Sequence, residues 1–234
     1  MSQQERLNKA LRIISELSLL KTIYLNFRTL SFSEAIHLPI VVSRHVKIRG
    51  VTKGSIIIQK GIKPFMILFG FGGSEDLRLY NSKRSVLMCR NGGTIVFTGE
   101  FARFSPHFSL LVDSSSINFG NGFTCNNGCS FSSVNGITFG DDCLVGGNVV
   151  VRDSDGHQVI NNDSTTFIKN RDPQVEIGDH VWICNNCSIL KGVKIASNNI
   201  ISYDTLCTKS VEHQHCLIAG HPGKIIRNNI DWKR

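Results

Sequence analysis

The residues best placed to do chemistry open the least regular part of the chain. Arg152-Asp153-Ser154-Asp155-Gly156-His157 begins a 23-residue, largely polar stretch that runs to Gln174, between Val151 and Val175. An imidazole titrates near neutrality, so His157 is the side chain there that could take a proton from a hydroxyl or an amine. Asp153 or Asp155 could hold the ring by accepting from its other nitrogen. A histidine in a polar loop is equally what ordinary solvent exposure produces, so the case turns on what carries the loop. Two other patterns say less. Cys184 and Cys187 have the spacing of a metal or redox pair. The run Phe69-Gly70-Phe71-Gly72-Gly73 has the composition of a phosphate cradle, but no convincing helix follows it and it reads as a turn.

The loop is carried by a repeat of six. Ile177, Ile183, Ile189, Ile195, Ile201 and Cys207 form one column, and Val181, Cys187, Val193, Asn199, Thr205 and Val211 a second. A helix needs apolar spacings of three, four and seven, and a pleated strand needs alternation, so neither explains a strict six. A hexad period marks a parallel β-helix, whose short strands form the flat sides of a prism. The rhythm returns before the loop in Phe119, Cys125, Phe131 and in Phe139, Val145, Val151, with companions Ile117, Phe123, Cys129, Ile137, Cys143 and Val149. The step of eight from Phe131 to Phe139 predicts a two-residue bulge near Val134 to Gly136. Upstream the signal thins to Ile56, Ile62, Leu68 and to Ile95, Phe101. Long structureless excursions from such an array are usually functional, because the scaffold has no need of them.

An open first coil needs a cover, since its unpaired edge would invite aggregation. Leu7, Leu11, Ile14 and Leu17 fall at helical spacing and predict a short amphipathic helix within an N-terminal cap over residues 1–40. The β-helix follows over 41–220, with its excursion at 152–174, and a short helical tail over 221–234. The cap has a second reading. Arg6, Lys9, Arg12 and Lys21 outnumber Glu5 and Glu16, which suits a peripheral contact with a membrane surface. Arg12, Glu16 and Lys21 interrupt the apolar positions a secretory signal would need, and no run of apolar residues is long enough to cross a bilayer. Cys125, Cys129, Cys143, Cys187 and Cys207 fall in inward columns as small core fillers, and Cys184 falls at a corner, so the two thiols of the pair diverge. Reduced, buried thiols suit the cytoplasm, with the inner membrane surface as the alternative. The net charge of +8 favours an anionic partner. Its positives read as scattered, with no interleaved aromatic platform, so nucleic acid is not expected.

The stretch from 95 to 230 resembles the left-handed β-helix (hexapeptide-repeat) acyltransferases. The resemblance rests on four segments: Asp153-Ser154-Asp155-Gly156-His157, Ile177-Gly178-Asp179-His180-Val181-Trp182-Ile183, Ser188-Ile189-Leu190-Lys191-Gly192-Val193-Lys194-Ile195, and Ala219-Gly220-His221-Pro222-Gly223-Lys224-Ile225-Ile226-Arg227. It implies that the prism is left-handed, that His157 is the catalytic base with Asp155 beside it, that acetyl-CoA is the donor, and that the protein is a homotrimer with sites between neighbouring prisms. His180-Val181-Trp182 together with the tail Arg227-Asn228-Asn229-Ile230-Asp231-Trp232 is similar to the O-acetyltransferases of bacterial surface polysaccharides, including modifiers of sialic-acid capsules. By that likeness Trp182 and His180 lie on the acceptor side. The family's coenzyme A channel maps onto Asn185, Tyr203, Thr208, Lys209, Gly220, Lys224 and Arg227.

The implied reaction is direct acetyl transfer to a hydroxyl of a sugar or polysaccharide, because the motif supplies a base and no covalent nucleophile. Two departures bear on the donor. Ile201-Ser202-Tyr203-Asp204-Thr205 stands where such proteins have small residues, and Cys184 stands where glycine is usual. Two rival readings use the same prism: a zinc-dependent carbonic-anhydrase-like enzyme built on His157, His180 and His213 or His215, and a non-catalytic trimeric scaffold that binds a glycan. Acyl transfer accounts for the loop and the closing segment better than the first, and no metal is expected.

Overall fold

A chain that turns every six residues can pair each strand only with the strand one coil away, and the hydrogen-bond register follows that rule. In the computed structural model, residues 13–73, 85–157 and 174–234 are described. Among them the strands form three sheets of nine, seven and six strands, parallel throughout except for the last pairing. Ile177 pairs with Ile195, Ile183 with Ile201 and Ile189 with Cys207, so a coil takes 18 residues, or three hexads. One coil lower, Phe119 pairs with Phe139, Cys125 with Val145 and Phe131 with Val151, 20 residues apart. The two extra residues sit at the corner expected at 134–136. Across the loop the step is 38: Phe139 pairs with Ile177, Val145 with Ile183 and Val151 with Ile189. Twenty residues therefore leave the prism and return without shifting its register. The architecture is the left-handed parallel β-helix of hexapeptide-repeat proteins.

The two hexad columns point inward along their whole length. Ile183, Ile189 and Ile201 are fully buried, as are Val181, Cys187 and Asn199. Upstream, where coils are wider, phenylalanine fills the axis: Phe69, Phe97, Phe104, Phe119, Phe123, Phe131 and Phe139 stack with ring centroids 4.5 to 6.3 Å apart. Each such ring contributes about 2–3 kcal/mol of burial. The thin upstream signal is partly out of register. Ile67 and Phe69 point inward and Leu68 outward, and Phe101 is 38% exposed at a corner. The coils there are longer than 18 residues, so a six-residue extrapolation slips.

The lower end is closed by helix α1 (Leu19–Thr29) and the short α2 (Phe32–Ala35). Residues 13–16 are helical too, while Leu7 and Leu11 of the expected helix lie outside the described residues. α1 turns a polar side inward. The Asn26 side chain donates to the Ile40 carbonyl at 2.7 Å and accepts from the Ile40 amide at 3.1 Å, and the Thr22 hydroxyl accepts from the Val42 amide at 3.0 Å. The edge strand Ile40–Val42 thus finds its missing partners in side chains. The upper end corrects the expected helical tail: Lys224–Asn228 is a strand, antiparallel to Cys216–Ala219. A turn through Pro222 and Gly223 reverses the chain, and β-branched Ile225 and Ile226 favour extended backbone. Among the described residues no helix is long and apolar enough to cross a membrane.

Candidate active site

The excursion leaves the prism at the ridge between the seven-strand and six-strand faces, after the strand Val150–Arg152, and its root is tightly built. Asp153 is fully buried. Its carboxylate accepts from the amides of Val134 at 2.9 Å, Asn135 at 2.9 Å and Gly136 at 2.6 Å, and from the Ser133 hydroxyl at 2.7 Å. The two-residue bulge of the coil below is the cradle for this side chain. Gln174, where the loop returns, donates from its amide to the Asn135 carbonyl at 3.2 Å, so one corner clamps both ends. Charge-assisted bonds to backbone amides are the strong kind. Asp153 is therefore a root for the loop rather than a partner for His157.

Beyond the root the chain turns sharply. The Gly156 amide donates to the Ser154 hydroxyl at 3.0 Å, Arg152 donates to the Ser154 carbonyl at 2.7 Å, and Gly156 sits at φ +79, where a side chain would be strained. His157 follows, exposed. Among the described residues no group is bonded to its ring. Asp155 forms an ion pair with Lys191, which rises from the next coil at the same ridge, so its carboxylate steadies the turn beneath His157. The remaining loop residues, 158–173, lie outside the described residues.

A second histidine has the opposite surroundings. On the nine-strand face, His180 Nδ1 is 2.6 Å from Asp142 Oδ2, and Nε2 is 3.2 Å from both the Trp232 carbonyl and Asp231 Oδ1. Its ring stacks on Trp232 with centroids 4.2 Å apart and planes 7° from parallel. The Trp232 indole N–H donates to the His180 carbonyl at 3.0 Å. Arg234 finishes the clasp, donating to Asp142 Oδ1 at 2.7 Å, Thr124 Oγ1 at 3.0 Å and the Gly122 carbonyl at 2.9 Å. Burial opposes the charged imidazole, but the bonds to Asp142 and the Trp232 carbonyl and the two nearby carboxylates outweigh it, and the His180 pKa is raised. Burial likewise works against the Asp142 carboxylate, yet its bonds to His180 and Arg234 lower its pKa. Trp182 stands beside this clasp, half-buried, 6.0 Å from the Trp232 ring.

The other candidate residues fall on two ridges. Asn185 and Tyr203 lie between the nine-strand and seven-strand faces. Asn185 Oδ1 accepts from the Gly147 amide at 2.8 Å, and the exposed Tyr203 accepts at its hydroxyl from Asn186 at 2.6 Å. The hairpin carrying Gly220 and Lys224 folds over the same ridge, since the Gly223 amide donates to the Leu206 carbonyl at 2.8 Å and His221 bonds the Asp204 carbonyl. Arg227 is exposed on the closing strand. Thr208 and Lys209 instead follow Cys207, whose partner Ile189 pairs with Val151, and so they lie on the ridge of the loop. Within one chain the structure joins His180, Trp182 and the tail, and it keeps them from His157, which leaves the prism at the ridge opposite the nine-strand face.

The cysteines offer no competing nucleophile. All eight are free, and burial pushes the thiols of Cys143 and Cys207 up to about 12 and that of Cys184 up to about 11. Among the described residues no three His, Cys, Asp or Glu side chains are grouped to hold a metal. The sequence alone missed the partnerships of Asp142, Lys191 and Ser133. One signal could have found the last: a stacking offset of 20 places Asp153 directly over Ser133.

The chain is similar to two curated polysialic acid O-acetyltransferases. It is 40% identical to the one from Escherichia coli O1:K1 / APEC over 98 residues, 42% of this chain and 31% of that protein. It is 36% identical to the one from Neisseria meningitidis over 98 residues, 42% of this chain and 45% of that protein. The chain thus spans less than half the length of these relatives. Among solved structures, the polySia-specific acetyltransferase NeuO superposes with a TM-score of 0.52 at 26% identity, covering 83% of this chain and 89% of that one. The polysialic acid O-acetyltransferase OatWY superposes with a TM-score of 0.51 at 22% identity, covering 81% and 91%. No family model matches the sequence.

Proposed function

We propose that this chain, a member of the left-handed β-helix hexapeptide-repeat acyltransferases, moves an acetyl group from acetyl-CoA to a hydroxyl of a sialic-acid polymer or a related surface polysaccharide. The observation that carries the reading is His157, exposed at the tip of a sharp turn whose root is fixed by four bonds to Asp153. When bound, acetyl-CoA supplies a thioester carbonyl open to attack. His157 takes the proton of the acceptor hydroxyl as the oxygen attacks, and returns it to the departing thiol. General-base assistance of this kind contributes about 10² to 10⁴ in rate, and fixed placement of the base adds to it. Asp155, held by Lys191, keeps the turn below the imidazole in place.

The donor set suits a nucleotide-bearing thiol ester. Lys209, Lys224 and Arg227 are exposed cations on the last coils, able to pair with phosphates, and Tyr203 offers a ring face beside Asn185. Asp204 on the same ridge disfavours phosphate, so the cations on either side of it set the path. The set is divided between two ridges of one prism, and His157 is divided from Trp182 in the same way. A homotrimer completes both divisions by placing the loop ridge of one protomer beside the nine-strand face of the next. In that assembly Trp182 forms the acceptor wall and His180 positions it through the tail. A cytoplasmic site of action belongs to this reading, with all eight thiols reduced.

Purified protein with acetyl-CoA and polysialic acid is expected to release free thiol, and His157→Ala to lower kcat about a hundredfold or more. Turnover that survives in that variant would remove the assigned base. Release without transfer to any sialic-acid polymer would move the acceptor to another sugar.

A further inference from the structure

The lower end of the prism carries an inversion that neither the fold nor acetyl transfer uses. Thr22, Leu25, Asn26 and Thr29 of α1 face the prism, so Leu25 is the one large apolar side chain of the helix turned inward, and Leu19, Leu20, Ile23, Tyr24 and Phe27 are all exposed, Leu20 to 82%. Phe32, 72% exposed at the start of α2, extends the patch and packs edge-on against Phe27 at 5.8 Å. A cap that needs only its inner face to close the prism leaves an exposed apolar patch of this size without a role in the core.

Charge says what the face meets. The positives read as scattered along the sequence, but the excess is not. Residues 1–65 hold eleven Lys and Arg against three Asp and Glu, while residues 66–234 hold fifteen of each, so the whole net charge of +8 belongs to the first segment of the sequence. The described part, 13–65, holds eight against two. Lys21, Lys47 and Arg49 line a groove beside Tyr24. Arg28 and Lys53 flank the other side of α1, each donating to a backbone carbonyl, with Glu34 the one carboxylate beside Lys53. A second copy of this face would bring like charges together as its apolar side chains met, which disfavours self-association. An anionic lipid surface satisfies both features at once: the headgroups take the cations and the acyl boundary takes the apolar side chains.

The geometry points to the outward face of α1 and α2 as a membrane-docking surface for anionic phospholipid, with the prism axis directed away from the bilayer. The inference stands apart from the proposed reaction, since none of these residues belongs to the candidate site. It is tested by co-sedimentation of the full chain with phosphatidylcholine vesicles, with and without phosphatidylglycerol. We expect at least about tenfold more protein on the anionic vesicles, falling as salt rises. Leu20→Glu with Phe32→Glu is expected to abolish that difference while leaving the melting temperature in place, because both side chains are already in water. Equal recovery on both vesicle types, or binding untouched by the double variant, overturns the inference. So does a drop in oligomeric mass in the double variant, which would assign the face to a second copy of the chain.

Discussion

His157 and His180 are the same residue in opposite circumstances. His180 has both ring nitrogens bonded, one face stacked on Trp232 and two carboxylates beside it. His157 stands exposed on a turn, with the rigidity placed in Asp153, four residues before it. The difference teaches how to tell a histidine spent on structure from one proposed as a base. A ring whose hydrogen-bonding capacity is spent holds the chain together, whereas a ring that no group among the described residues bonds is the better candidate for proton transfer.

The largest effect should come from exchanging the two. His157→Ala is expected to lower kcat about a hundredfold or more with the melting temperature unchanged, and His180→Ala to do the reverse, lowering the melting temperature while kcat falls only a few-fold. Steady-state kinetics beside a thermal scan reads both. A large loss of stability in the first variant, or of kcat in the second, breaks the comparison. The next effect tests the support. Asp153→Ala strips an acceptor from three backbone amides and a hydroxyl in a buried corner, at a cost of about 2 kcal/mol measured by denaturant unfolding. Asp153→Asn should recover part of that, and retention of full stability in Asp153→Ala would mean the loop is anchored elsewhere. Trp232→Ala sharpens the other side: loss of the buried indole that covers His180 and Trp182 should cost about 1–2 kcal/mol and raise KM for the acceptor more than it lowers kcat.

Much of this was legible because a hexad repeat is a one-dimensional code. Ile183, Ile189, Ile201 and Cys187 needed nothing beyond their spacing to be placed in the core, and the two-residue bulge near Gly136 followed from one step of eight. What the code could not carry is contact between residues that are not stacked. The tail was expected to be helical, yet Pro222 and the paired isoleucines made it a strand, and the clasp of Arg234 on Asp142 joins positions 92 apart in sequence. The polar inner side of α1 escaped for a related reason: apolar spacing predicts which face is buried only when the neighbour is apolar, and here the neighbour is a strand edge that wants hydrogen bonds. His157 was nominated by the loop's departure from the repeat. Its separation from Trp182 within one chain became visible only when strands were assigned to faces.

The smallest expected effect is on pH, and toward alkaline pH it belongs to His180. Its pKa in the folded protein is raised above the ordinary imidazole value near 6.5, mainly through Asp142 acting against burial. A group whose pKa is raised by folding binds its proton more tightly in the folded state. Its contribution is therefore fully present below about pH 6.5 and is lost as pH rises through the raised value. The tail should hold most firmly in mild acid and loosen toward alkaline pH. Protection of the Trp232 indole N–H, corrected for the intrinsic pH dependence of exchange, measures this directly. It should decline across that window in the parent chain and stay flat in His180→Gln, which keeps polarity without the titrating charge. The same decline in both chains would remove His180 as its source, and a rise with pH instead would point to Asp142 or Asp231. Those carboxylates have lowered pKa values and lose their contribution as pH falls, so the sign of the slope alone separates the two sources.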